Sequence, residues 1–147
     1  MKLFGTAAFR DALAEKRALT LEAARRVAAL PGIVMDADPE LSLFAFHLTW
    51  PGATLADEDQ ATRALMAGTT ARGRVMVTGA AAHGRYLGRV CVLSFRTHQR
   101  DIDALIEDLA ASIRDVRAGF EARVSTIHHE ETKPGGPRSM LGQEGAS

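Results

Sequence analysis

Residues 84–109 read GRYLGRVCVLSFRTHQRDIDALIEDL, and a change of period inside this stretch decides the fold. Its first half alternates. Arg85, Leu87, Arg89, Cys91 and Leu93 fall on one side of an extended chain, and Tyr86, Val90 and Val92 on the other, as a strand requires. Its second half turns helical. Thr97 is a good N-cap, Asp101 and Asp103 suit the positive end of a helix, and Ile102, Leu105, Ile106, Leu109, Ile113, Val116 and Phe120 form an apolar stripe several turns long.

The flanking sequence supplies partners for both halves. Upstream, Gly79 to Gly84 reads as a small-residue turn and Arg74 to Thr78 as a strand, which together with 85–93 make a hairpin. Thr54 or Asp57 can cap a helix running to about Gly68, with Asp57, Glu58 and Asp59 near its start. Before it, Leu41 to Leu48 is almost continuously apolar, Asp36 to Glu40 is a turn, and Ile33 to Met35 is a short strand. Thr6 to Ala29 is rich in helix formers, with Phe9, Leu13, Thr20, Ala24 and Val27 at helical spacing, and Pro31-Gly32 stops it. The order helix, strand, strand, helix, strand, strand, helix predicts an α/β (α+β) fold: an antiparallel sheet of about four strands with helices on one face.

From Ser125 onward, turn and polar residues dominate without periodicity, so the reading is one domain over 1–123 and a flexible polar tail over 124–147. A chain of 147 residues, 46% hydrophobic and 24% charged, can bury one modest core. Lys plus Arg and Asp plus Glu both number 18, so no net field recruits nucleic acid or an anionic membrane. Cys91 is the single cysteine, which excludes an intrachain disulfide and a thiolate cluster. Nowhere do about 18 apolar residues run together, and no targeting segment is evident, so a cytoplasmic location is expected.

The stretch from Gly84 to Leu109 resembles the end of the group II pyridoxal-phosphate (PLP)-dependent decarboxylases, which include glutamate, aromatic-amino-acid and tyrosine decarboxylases. There a glycine precedes an aromatic-containing strand with an arginine, then an apolar run, a turn with Arg-Thr, and a helix opening near Asp-Ile-Asp. Leu3-Phe4-Gly5 with Ala8-Phe9-Arg10 is similar to the start of that family's small domain. The resemblance covers Lys2 to Val116, and corresponds to the last quarter of a family member. His47 departs from it where relatives often carry an arginine, and 80–83 is richer in alanine.

The resemblance implies the small domain of a fold type I enzyme whose cofactor domain is not in this sequence. PLP chemistry needs a Schiff-base lysine, an acid at the pyridinium nitrogen and a phosphate cup. The only lysines are Lys2, Lys16 and Lys133, and none follows a histidine as that family's does. Aligned on Asp101-Ile102-Asp103, Arg89 takes the position of the arginine that reaches the substrate carboxylate in glutamate decarboxylases. A planar, permanently charged guanidinium suits that task. Arg89 is the one substrate-binding residue nominated, with a plain ion pair to Asp or Glu as the alternative. No catalytic, cofactor-binding or metal-binding residue is nominated.

Other residues carry weaker signals. His128-His129-Glu130-Glu131 has metal-ligand types but no third fixed group. His83 and His98 fall in turns, and Cys91 reads as a small hydrophobe. The expectation is therefore a fragment of a PLP-dependent carboxy-lyase, inactive alone. The resemblance implies a PLP-binding large domain, an amino-acid substrate and a homodimer as its partners. It also implies an exposed apolar patch including Phe44, Phe46 or Trp50. A free-standing ligand- or partner-binding module and a non-functional gene remnant stay open beside it.

Overall fold

The structure, a computed structural model, describes residues 5–131 apart from 93 and 95, with side chains as far as residue 126. Three helices and four strands follow one another as α1 (Thr6–Ala28), β1 (Ile33–Met35), β2 (Leu43–Leu48), α2 (Leu55–Ala71), β3 (Thr78–Ala82), β4 (Arg85–Cys91) and α3 (Gln99–Glu131). The order matches that predicted from the sequence. The strands form one antiparallel sheet ordered β1-β2-β4-β3. Helices α1 and α2 pack on the sheet and α3 packs on both helices.

The core lies between the helices and one face of the sheet. Phe44, Phe46 and Leu48 from β2 meet Leu65 and Met66 from α2, Val27 from α1, and Ile102, Leu105, Leu109 and Ile113 from α3. Burying such side chains fully stabilises by about 1.5–3 kcal/mol each. Phe44 and Phe46 are therefore interior residues, only 2% and 0% exposed, and Trp50 is packed against Phe120. The expected apolar patch is not built from them. The apolar side chains left outside are others, among them Phe9, Leu13 and Leu21 on α1, Val34 and Leu43 on the open sheet face, and Leu41, Leu55, Met76 and Val124.

Several boundaries differ from the sequence reading, each for a physical reason. The stretch from Gly79 read as a turn is mostly strand: Gly79 pairs with Gly88 and Ala82 with Arg85. Small residues have little strand preference of their own, and β4 imposes the pairing. The reversal takes only two residues, His83 (φ 52) and Gly84 (φ 74), both left-handed as a tight hairpin of this type requires. Residues 74–77 instead lead into β3 outside the sheet, and Arg74 there donates to Asp108 on α3.

Helix α2 passes through Gly68 to Ala71, because Gly68 faces Ser112 where the two helices touch. Its N-cap is Thr54 with a full capping box to Asp57. Helix α3 begins one residue later than predicted. His98 is its N-cap, with its backbone N–H donating to Asp101 at 2.7 Å. The helix also continues past residue 123 to Glu131, so its last turns include 128–131. The rest of the predicted tail lies outside the described residues.

Candidate functional site

Arg89 sits near the middle of the open sheet face. Strand β4 turns Val90 and Val92 toward the helices, and Gly88 lies against Met66 and Phe46 with no room for a side chain. Alternation then sends Leu87, Arg89 and Cys91 to the opposite face. Leu87 is buried there, outside the main core cluster. Arg89 pairs with Ala45 on β2 and Thr78 on β3, so its guanidinium rises between two short side chains. It is exposed. Among the described residues no carboxylate lies within ion-pairing distance of it.

The same face carries Val34 and Leu43, each more than a third exposed, along with Ala45, Cys91 and Ala80. An unpaired arginine ringed by apolar and small residues is chemically suited to receive an anion once water is excluded. Nothing within the described chain excludes it. The first ten residues of α1 are likewise uncovered. Residues 6–15 are all exposed, including Phe9 and Leu13 one turn apart. An isolated helical segment of this length is marginal in water.

Toward one end of this face lies a polar cluster that sequence reasoning passed over. Arg85 pairs with Glu58 on α2, whose other oxygen accepts from the Thr49 hydroxyl. His47 is 7% exposed, and its Nδ1 and the Arg85 Nε are both buried without a hydrogen-bond partner among the described residues. Burial, and secondarily the Arg85 charge, hold the His47 imidazole below its ordinary pKa. Across the hairpin turn, His83 approaches Asp36 at 3.4 Å. The one sequence signal here is a histidine inside an otherwise apolar strand.

The described residues do not form a PLP site. Lys16, the one described lysine, is only 8% exposed and donates to the Thr97 carbonyl at 2.7 Å. It is a tie between α1 and the start of α3, held away from the Arg89 face. Lys2 and Lys133 lie outside the described residues. Among the described residues no group of His, Cys, Asp and Glu is placed to hold a metal ion. The side chains of 128–131 are not among those described. No described helix is long and apolar enough to cross a membrane. His83 and Cys91 are exposed, as is His98 at the α3 cap.

No protein-family model matches the sequence, and no curated protein matches it. Solved structures do. The crystal structure of Oryza sativa TDC with PLP and tryptamine superposes with a TM-score of 0.72 at 19% identity, covering 78% of this chain and 25% of that one. Catharanthus roseus tryptophan decarboxylase in complex with L-tryptophan gives 0.69 at 18% identity, covering 76% and 24%. The glutamate decarboxylase domain of a Vibrio parahaemolyticus diaminobutyrate-pyruvate transaminase and L-2,4-diaminobutyrate decarboxylase gives 0.59 at 21%, covering 71% and 22%. The chain thus spans about a quarter of the length of each. Three helices on a four-stranded antiparallel sheet are the fold of one part of these PLP-dependent amino-acid decarboxylases.

Proposed function

We propose that this chain serves as the C-terminal small domain of a PLP-dependent amino-acid decarboxylase, and that it has no such activity alone. In this reading it packs against a PLP-binding large domain, and Arg89 completes the site by holding a carboxylate of the amino-acid substrate. The assembled enzyme is a homodimer in the cytoplasm. PLP, bound by the large domain, supplies the electron sink.

The observation that carries the proposal is Arg89 itself. It is a guanidinium without a described ionic partner on a sheet face that the domain's own helices leave uncovered. An arginine serving only as a surface ion pair would have its carboxylate beside it. The unpacked first half of α1 supports the same reading, since a helix leaving a neighbouring domain would be held there by that domain.

The test is reconstitution. The chain is co-expressed with the cofactor domain of an amino-acid decarboxylase cut before its small domain, and carbon dioxide release from glutamate and aromatic amino acids is followed. Activity is expected from the pair and from neither part alone. Arg89→Gln is expected to raise KM for the favoured amino acid roughly tenfold or more, the cost of one charge-assisted contact. A pair whose KM ignores that substitution would refute the role given to Arg89. Activity in the chain alone would refute the domain assignment.

A further inference from the structure

Arg117 on α3 is another arginine with no ion-pair partner among the described residues. Between the loop after β2 and the outer half of α3 lies an open cleft of about 810 Å³, walled by Trp50, Pro51, Phe120 and Val124, with Arg117 in its lining. Its volume falls within the range of about 300–1,000 Å³ usual for small-molecule sites. The rings of Trp50 and Phe120 stand 4.9 Å apart with planes inclined at 55°, which gives the cleft an aromatic wall. That is the tilted contact aromatic pairs favour.

Arg117 is placed there by a specific accommodation. Gly32, in a left-handed conformation at φ +80, lies so close that a Cβ on it would be 2.5 Å from Arg117 Nη2. Glycine alone leaves the guanidinium its seat. The Arg117 Nε is buried and has no hydrogen-bond partner among the described residues, and none of their carboxylates pairs with it. Two carboxylates share the cleft lining, but neither answers that need. Asp57 spends Oδ2 on the backbone and hydroxyl of Thr54, and Glu121 sits on the solvent-exposed rim.

We propose that this cleft binds a small aromatic carboxylate, its ring against Trp50 and Phe120 and its carboxylate on Arg117. Arg117 brings to the cleft a cation with no carboxylate partner among the described residues, which suits a carboxylate, and the aromatic wall beside it suits a ring that carries one. A neutral ligand would leave that charge unpaired. Arg89 is not in the lining of this cleft.

Trp50 is the only tryptophan of the chain, so its fluorescence reports on the cleft directly. The full chain is titrated with 3-phenylpropanoate and with 3-phenylpropan-1-ol, which differ in the carboxylate. A saturable change in Trp50 emission is expected with the acid, with affinity roughly tenfold or more weaker for the alcohol. Arg117→Gln should bring the acid down to the level of the alcohol. Val124→Glu, at a side chain 56% exposed, keeps the fold and sets a like charge in the wall, so it should weaken the acid and spare the alcohol. Arg89→Gln should change neither. The proposal fails if acid and alcohol bind alike, if no saturable change occurs, or if a folded Arg117→Gln binds the acid as the wild type does. Should Arg117→Gln not fold, Val124→Glu decides: undiminished acid binding overturns the proposal.

Discussion

Lys16 Nζ donates a 2.7 Å hydrogen bond to the backbone carbonyl of Thr97, joining the middle of α1 to the turn that precedes α3. Thr97 itself fails to cap α3, so its carbonyl serves α1 instead. The ammonium also lies 3.5 Å from Glu15 and is almost wholly covered.

Two outcomes follow for this lysine. Treatment of the chain with PLP and borohydride should leave Lys16 unmodified, as peptide mapping would show, because its nitrogen is already committed. Replacement by Met should lower the unfolding free energy by about 2 kcal/mol in urea denaturation, the worth of a hydrogen bond from a charged donor. A pyridoxyl group fixed on Lys16 would contradict both its structural role and the domain assignment.

Gly79 has a different task. It pairs with Gly88 across β3 and β4, and the Tyr86 ring lies over the position where its Cβ would stand. Arg63 stacks on that same ring at 3.9 Å. Gly79→Val should therefore displace Tyr86 and destabilise the hairpin edge by roughly 1–3 kcal/mol, as overpacking does. In a Tyr86→Ala background the same substitution should cost much less, and a double-mutant cycle in urea measures the difference. Additive costs would mean that Tyr86 does not hold this place.

The fold was legible where side-chain period and burial agree. Ile102 through Ile113 and Phe44 through Leu48 are apolar because they are interior, so their pattern names their elements. It was illegible where one element borrows its conformation from another. Residues 79–82 are strand because β4 pairs with them, and nothing in Gly-Ala-Ala-Ala says so. Phe9 and Leu13 continue the α1 stripe in sequence, yet both are exposed in the fold. Arg89 could be placed on a face by alternation alone. The Arg117 cleft and the His47 cluster could not, since each joins residues from separate elements that only the packed structure brings together.

His47 makes stability depend on pH. Its pKa in the fold lies below the unfolded value of 6.5, chiefly through burial and then through Arg85. The unfolded chain therefore binds more protons below that value, and the stability conferred by neutral His47 is present above pH 6.5 and lost as pH falls through the interval beneath it. Glu58, Asp36 and Asp59 act the other way but do not outweigh burial. Urea midpoints measured from pH 7.5 to 5.0 should fall, and His47→Gln should flatten the slope. The carboxylates of Asp57 and Asp103, held low by Thr54 and Arg26, lose their contribution only below the ordinary carboxylate value of 3.8, a separate window. An unchanged slope in His47→Gln would place the pH sensitivity elsewhere.

Phe9 and Leu13 are 66% and 55% exposed and stand one turn apart on a helical segment whose residues 6–15 are all exposed. An apolar stripe so placed gains free energy from any surface that covers it, at about 25 cal/mol per Å² removed from water. For the purified chain in solution, the surface proposed to meet it is another copy of the chain. Sedimentation velocity should show concentration-dependent association of the purified chain. The double variant Phe9→Ser, Leu13→Ser should reduce it while leaving the urea midpoint within about 0.5 kcal/mol of the wild type, since neither side chain is in the core. Co-expression with a cofactor domain should suppress the association of the wild type, because the partner then occupies the stripe. Association that survives both the double variant and the partner domain would arise from another surface, and the first half of α1 would lose its place as a docking element.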